Sequence, residues 1–435
     1  MDNSKKILRR LQLLHPKKID LSLHRIKRLL KKLNNPHFRM APVIHIAGTN
    51  GKGSVISFLR SIFEKAGLRI HTYTSPHLIR FNERIRINSK LISNRNLNLL
   101  LEECEHYNNG EEITFFEITT AAAFLAFSRE DSDLVLLETG LGGKYDATNI
   151  AVNKICSVIT PISMDHMNFL GSSIKKIASE KLGIFNNSKY AIISKQKMNV
   201  RNVIRAEAQK KKILILEESV NWEILQKYNK NKSFLFRYKE SNYNFNFPLL
   251  HGQHQVENAS TAIATALSIK NKNITEKVIN KGVLSANWAG RMQKLDKGKL
   301  TRIMGKNYEI WLDGGHNTEA SNILYKEIEL WRDKKTFLIF GMMIGKEPIK
   351  FLKKIVNKVS SIFLLPIQDQ QYIPPYELKR KIESQLRSNI DIFCILEIKE
   401  ALKIIKKENN SGRILICGSL YLAGEILKED EFKIS

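Results

Sequence analysis

Cysteine is scarce: four residues in 435, at 104, 156, 394 and 417. They are scattered among apolar or helix-like neighbours, which excludes a disulfide framework and a cysteine zinc site and predicts reduced thiols. No apolar run approaches the roughly 18 residues that span a bilayer. The first ten residues, Met-Asp-Asn-Ser-Lys-Lys-Ile-Leu-Arg-Arg, lack the apolar stretch and cleavage site of a signal peptide. A cytoplasmic protein without membrane attachment is expected. Acid is also short, with 43 Asp and Glu against 70 Lys and Arg and a net charge of +27. Such an excess suits a nucleic-acid binder. However, no RNA-binding aromatic motif or helix-turn-helix signal accompanies it, and Lys, Ile and Asn are enriched together, as in Lys270-Asn271-Lys272-Asn273. That pattern reads as genome base composition. Nucleic acid is not an expected partner, and the basic surface is expected to draw in a small anionic substrate.

What is present is the composition of a globular enzyme, 43% hydrophobic and 26% charged. The length exceeds one comfortable core and predicts two domains. Short apolar runs alternate with helical periodicity, the pattern of a mostly parallel sheet covered by helices. Leu23 to Leu33 reads as an amphipathic helix, followed by strands at 43–47, 69–74, 133–138, 155–160 and 190–194, with helices near 93–107 and 115–127. The polar stretch 217–246 reads as a hairpin or a surface excursion. Residues 286–299, with little periodicity, read as the interdomain linker, and the expected boundary falls at 290/291. Beyond it a second alternation runs from strand 309–313 through helix 319–331, strand 336–340, helix 349–359, strand 362–366, helix 375–386, strand 391–396 and helix 398–407 to strand 413–417. It has no G-x-G-x-x-G at its first turn, so dinucleotide binding by that route is not expected.

The segment Val43 to Val55 runs from an apolar strand into Gly48-Thr49-Asn50-Gly51-Lys52-Gly53-Ser54 and then into a helical pattern. Glycines let the backbone turn its N–H groups around phosphate oxygens, and the helix N-terminus adds positive dipole. Lys52 can reach the β- and γ-phosphates, and Ser54 can offer a hydroxyl to Mg²⁺. Gly48 and Gly51 stand closer together than in G-x-x-x-x-G-K-[ST].

Other polar residues follow strand ends, where ligands gather in open α/β sheets. Glu138, before Gly140-Leu-Gly-Gly143, reads as a Mg²⁺ ligand or as a capping acid. Ser75 could offer a hydroxyl to metal or simply open a loop. His166 is a poor match to Mg²⁺, which prefers oxygen. Lys181, taken alone, looks like a solvated helix lysine. Asp313-Gly-Gly-His316-Asn317 suggests close approach of a ligand, with a tight turn as the rival.

Taken together, the motifs resemble the folylpolyglutamate synthase/dihydrofolate synthase family of the Mur ligase superfamily. The resemblance runs through Gly48 to Ser54, Tyr73-Thr-Ser-Pro-His-Leu78 with Asn82-Glu-Arg-Ile85, Thr114-Phe-Phe-Glu117 and Leu137-Glu-Thr-Gly-Leu-Gly-Gly143 with Asp146-Ala-Thr-Asn149. It continues through Asp165-His166, Glu180-Lys181-Leu-Gly-Ile184, His254-Gln-Val-Glu-Asn258, Gly290-Arg291, Asp313 to Asn317 and Gly418-Ser-Leu-Tyr421. Thr139, Lys144-Tyr145 and Gly315 stand where valine, Arg-Leu and alanine are common.

The resemblance implies a phosphate-loop ATPase domain over residues 1–290 with a mostly parallel sheet. Residues 291–435 would be a smaller Rossmann-like α/β domain that carries glutamate ligation. It also implies ATP and two Mg²⁺ ions, held by Ser75, Glu138, His166 and a carbamylated Lys181. Nucleotide contacts would come from Thr49, Asn50, Gly51, Lys52, Gly53, Ser54, Asn258, Arg291 and Asp313, the last two reaching across the domain cleft. Phe116, Glu117, Tyr145, Asp146 and Ala147 match parts of a pterin site, and His316 and Ser419 match the amino-acid side. Lys52, Lys181 and His316 would carry catalysis. The implied reaction activates a carboxylate of dihydropteroate or of a reduced folate as an acyl phosphate and joins it to L-glutamate. A monomeric enzyme of folate biosynthesis is expected, with a monofunctional folylpolyglutamate synthase as the alternative.

Overall fold

The computed structural model describes residues 3–17, 19–226, 233–331, 333–368, 370–386 and 389–434. The chain divides into two compact units. One comprises Met1–His77, Asn82–Leu249 and Gln255–Asn287, and the other Leu78–Phe81, Leu250–His254 and Trp288–Ser435. No helix among the described residues is long and apolar enough to cross a membrane.

The first unit is built on eight strands: β1 (Val43–Ala47), β2 (Ile70–Tyr73), β3 (Ile85–Ile87), β4 (Lys90–Leu91), β5 (Leu134–Glu138), β6 (Lys154–Ile159), β7 (Ser188–Ile193) and β8 (Leu214–Glu217). Their order is β4-β3-β2-β5-β1-β6-β7-β8. From β2 to β8 every neighbouring pair is parallel, and the short β3–β4 hairpin adds antiparallel to β2. The mostly parallel sheet expected from the alternation is therefore present. Strands β1 and β5 are buried along their whole length, as central parallel strands covered on both faces must be. β1 lies between β5 and β6, so the loops after these three strands open at one end of the sheet.

The stretch 217–246 is partly strand. β9 (Trp222–Gln226), β10 (Ser233–Tyr238) and β11 (Ser241–Asn246) form a separate antiparallel sheet, with β10 central. Residues 227–232 of that stretch lie outside the described residues. Phe234, Phe236, Tyr238 and Phe245 supply its buried face.

The second unit holds β12 (Gln293–Leu295), β13 (Tyr308–Leu312), β14 (Thr336–Phe340), β15 (Ser361–Leu364), β16 (Asp391–Cys394) and β17 (Gly412–Cys417), in the order β12-β13-β17-β14-β15-β16. Residues 286–299, read as a linker, thus contain an edge strand, β12, that pairs antiparallel with β13. Alternate residues of one strand enter opposite cores. Ile310 and Leu312 pack with Phe337, Ile339 and the helix Leu420–Glu429. Trp311 packs with Leu338, Phe340 and the helix Thr318–Leu330. That is the period-2 signature of a sheet covered on both faces. The helix expected over 349–359 stops at Leu352, and a separate 3-10 turn spans Val356–Lys358.

Candidate active site

β1 delivers the chain into the glycine loop, and the helix Lys52–Lys65 starts immediately beyond it. Gly51 has φ +87°, and a Cβ there would lie 2.4 Å from Asn258 Oδ1. Only glycine satisfies both the left-handed backbone and that approach. Asn258, from the helix Gln253–Ser268, is thereby brought against the loop, with its Nδ2 donating to Gln255 Oε1 at 3.1 Å. Thr49 fixes the loop from the β6 side. Its N–H donates to the Pro161 carbonyl at 2.9 Å and its hydroxyl to the Ser163 carbonyl at 3.1 Å. Ser54 is buried in the first turn of the helix.

Two lysines meet on one carbonyl. Lys181 Nζ donates to the Gly48 oxygen at 2.8 Å, and Lys52 Nζ lies 3.4 Å from the same oxygen. Lys52 Nζ is also 3.9 Å from Glu138 Oε1, at the end of β5. The other Glu138 oxygen accepts the Ser75 N–H at 3.1 Å, which ties the loop after β2 to the end of β5. Ser54, Ser75 and Glu138 are hard oxygen donors of the type Mg²⁺ takes; Ser54 stands in the first turn of the helix after β1, Ser75 on the loop after β2 and Glu138 at the end of β5. Among the positions expected at phosphate and metal, the structure therefore gathers Gly48 to Ser54, Asn258, Glu138, Ser75 and Lys181.

Lys181 is not a solvated helix lysine. It is 5% exposed, at the end of the helix Ile174–Lys181. Burial, and next the charge of Lys52, pull its amine down to about 7, with Asp165 and Asp146 opposing the shift. A lysine near that value is about half neutral at neutral pH, and the neutral fraction is nucleophilic. The segment Gly140 to Gly143 packs against it. A Cβ on Gly143 would stand 2.6 Å from the Lys181 carbonyl, and Lys144 N–H donates to the Glu180 carbonyl at 2.7 Å.

His166 follows Asp165, whose Oδ1 accepts its N–H at 2.9 Å, and it takes a left-handed backbone, φ +51°. Asp165, past the end of β6, opposes the lowering of the Lys181 amine, and its place after a strand end is the signal in the sequence that points to it. His77, after β2, accepts a hydrogen bond from Arg84 Nε at 3.0 Å, and burial with the Arg84 charge holds its imidazole neutral, at about 3.

The residues matched to a pterin site divide by their surroundings. The Phe116 ring lies over Gly140 and stacks with Tyr73 at 6.0 Å. Tyr145 is 41% exposed, with Lys144 Nζ 4.8 Å from its ring centre. Ala147 is buried. Glu117 and Asp146 are engaged by the fold itself. Glu117 Oε2 accepts from Arg25 Nε at 2.9 Å and from the Thr114 N–H and hydroxyl, both at 2.8 Å, closing a capping box on the helix Phe115–Arg129. Asp146 Oδ2 accepts the Leu141 N–H at 2.8 Å, and its Oδ1 accepts the Thr148 N–H and hydroxyl. Burial raises its carboxyl above the usual range.

In the second unit, Asp313 follows β13 directly and braces two loops. Its Oδ2 accepts the Met292 N–H at 2.9 Å and its Oδ1 the Gly315 N–H at 2.7 Å. The Arg291 guanidinium lies beside Gly314, and the Gly314 N–H donates to the Gly290 carbonyl at 2.9 Å. His316 Nδ1 is 3.2 Å from the Gly314 carbonyl. Ser419 caps the helix Leu420–Glu429 through the Tyr421 N–H, and the preceding Gly418 N–H donates to the Gly315 carbonyl at 3.1 Å. Arg291, Asp313, His316 and Ser419 therefore sit on loops joined by hydrogen bonds at the ends of neighbouring strands β13 and β17.

A phosphate-type loop, an acidic strand end and a buried lysine on one parallel sheet, with a second α/β unit following, are features of the Mur-type ATP-dependent ligases. Residues 46–266 match the Mur ligase middle domain, and residues 295–429 match the C-terminal domain of dihydrofolate synthetase. The chain is 30% identical over 388 residues to a dihydrofolate synthase/folylpolyglutamate synthase of Buchnera aphidicola, covering 88% of each protein. It superposes on Escherichia coli FolC in complex with DHPP and ADP with a TM-score of 0.85 at 27% identity, covering 98% of this chain and 97% of that one. A bifunctional folylpolyglutamate synthase/dihydrofolate synthase with Mn, AMPPNP and L-glutamate bound gives a TM-score of 0.84 at 25% identity, covering 98% and 97%. The chain belongs to the dihydrofolate synthase/folylpolyglutamate synthase family.

Proposed function

We propose that this ligase joins L-glutamate to dihydropteroate and to tetrahydrofolate or its glutamates, as a monomeric cytoplasmic enzyme of folate biosynthesis. The observation that carries the reading is the meeting of Lys52 and Lys181 on the Gly48 carbonyl, with Glu138 beside Lys52. It sets two amines and a carboxylate at the mouth of a phosphate-type loop. The relatives' names and ligands supply the substrate class.

In the reaction, a carboxylate oxygen of the acceptor attacks the γ-phosphorus of ATP, and ADP leaves. The acyl phosphate is then attacked by the glutamate amine, phosphate departs, and the nitrogen loses a proton to leave an amide. Backbone N–H groups of Gly51 to Ser54, at the helix N-terminus, hold the phosphates, and Lys52 offsets charge that develops at the transferring group. Asn258, Arg291 and Asp313 are assigned to the nucleotide, and Phe116 and Tyr145 to the pterin face. Glu117, Asp146 and Ala147 shape that face, and His316 and Ser419 serve the amino acid. Residues 1–290 act as the ATP-binding domain and residues 291–435 as the glutamate ligase domain.

Ser75, Glu138, His166 and Lys181 are the residues that would hold Mg²⁺, which supplies charge neutralisation at phosphate when bound. An ammonium cannot serve as a ligand, but the neutral Lys181 amine can add to CO₂, forming an N–C bond and releasing one proton. The product is a carbamate with two oxygens. Burial and Lys52 supply that neutral amine.

Glutamate-dependent ADP release, compared between dihydropteroate and tetrahydrofolate, tests the reading. Turnover with both is expected. Turnover with tetrahydrofolate alone would select a monofunctional folylpolyglutamate synthase, and turnover with neither would remove the assignment.

A further inference from the structure

β6 opens on Lys154, whose side chain is almost wholly enclosed at 1% exposure. Its Nζ donates to Asn149 Oδ1 at 2.7 Å, to the Asn186 carbonyl at 2.9 Å and to the Ile184 carbonyl at 3.3 Å. An ammonium has three donors and no acceptor, so these three oxygens use its whole capacity. Among the described residues no carboxylate pairs with it. Burial and the Lys211 charge oppose its charge, but a neutral amine has only two N–H groups and would turn its lone pair on the third oxygen, so three facing acceptors hold it as the ammonium. A buried cation is a costly way to begin a strand when an apolar side chain would fill the space.

The oxygens belong to the two segments that frame Lys181. Ile184 and Asn186 lie in the turn immediately after the helix that ends at Lys181. Asn149 closes the segment after Gly140 to Gly143, and its Nδ2 donates to the Lys144 carbonyl at 3.1 Å and the Gly183 carbonyl at 3.3 Å. Ser157 adds a hydrogen bond to the Ile184 carbonyl at 2.9 Å, and Lys211 one to the Leu182 carbonyl at 3.1 Å. A helix end leaves carbonyls without intrahelical partners and carries partial negative charge. Here the carbonyls just beyond Lys181 are held by two lysines, an amide and two hydroxyls, the second being Ser188 on the Ile184 carbonyl at 3.2 Å.

We propose that Lys154 is a positioning residue for ligation: a built-in monovalent cation that locks the turn behind Lys181 to the glycine segment and keeps Lys181 Nζ on the Gly48 carbonyl. It acts through Lys181 and so rests on the role given to Lys181 above.

The test uses the full chain as Lys154→Ala and Lys154→Met, with KCl or LiCl at equal ionic strength and each rate divided by that of the wild type in the same salt. In LiCl both variants should lose about 10-fold to 100-fold in kcat, the scale of an ångström-level misplacement. K⁺ should restore kcat in Lys154→Ala and raise its melting temperature without nucleotide. It should do neither in Lys154→Met, whose side chain fills the cage. Lys154→Met within twofold of wild type would overturn the inference, as would Lys154→Ala that K⁺ restores in neither stability nor rate. Lys181→Met keeps the two readings apart. Wild-type rates in that variant would remove the role of Lys181 itself, whereas an inactive Lys181→Met beside an active Lys154→Met would remove only the present inference.

Discussion

Lys181 and Lys52 share an acceptor, and their charges repel in a place where little water reaches. The buried partner yields, so its amine sits near neutrality while Lys52 keeps contact with Glu138. This difference has a chemical consequence, because only the free amine adds to CO₂. Turnover should fall in CO₂-depleted buffer and return when bicarbonate is added. The amine loses its lone pair to protonation as pH falls through about 7, so the loss should deepen below that value. Steady-state rates at pH 6.5 and 8, with and without bicarbonate, check this. Rates indifferent to bicarbonate at both values would remove the carbamate.

At the scale of elements, the site is a set of strand ends and the helix that follows β1. The loop between β1 and Lys52 works because Gly51 takes φ +87° with Asn258 close against it. Gly51→Ala should therefore abolish measurable nucleotide binding by titration calorimetry while far-ultraviolet circular dichroism stays unchanged. Unaltered ADP affinity would show that the loop tolerates a Cβ and does not cradle phosphate as described. The parallel strands were legible in the sequence because β1, β5 and β14 are short apolar runs bounded by turns, and a strand buried on both faces reads that way. The β3–β4 hairpin escaped, since strands of three and two residues carry no period. β12 escaped for the same reason, being Gln-Lys-Leu within a charged stretch. The phosphate loop, Glu138 and Asp313 were legible because they stand just past or at strand ends. The burial of Lys154 and Lys181 was not, since a lysine's surroundings are set by segments far away in the chain. The Arg25–Glu117 pair, 92 residues apart, could not be read from local pattern either.

For the whole molecule, the excess of basic residues and the neutral buried histidines give a direction to the pH dependence of stability. His45 is fully enclosed, with its Nε2 2.8 Å from the Thr148 hydroxyl, and burial keeps its ring well below the ordinary value. His77 is held down to about 3. Between those lowered values and about 6.5 the unfolded chain binds protons that the folded chain refuses. Stability therefore rises with pH across that window and is lost as pH falls below about 6.5. Urea midpoints should decrease from pH 7 to pH 5, and His45→Gln should flatten the decrease. A midpoint constant over that range would mean that the two rings are protonated in the fold.

Ligation by this enzyme turns on activation of the acceptor carboxylate by phosphoryl transfer at the loop after β1. Dihydropteroate labelled with ¹⁸O in its carboxylate, turned over with ATP and L-glutamate, tests it through the mass of the released phosphate. One ¹⁸O atom per phosphate is predicted, because the attacking oxygen leaves with the phosphoryl group. Amide product formed with unlabelled phosphate would rule out an acyl phosphate.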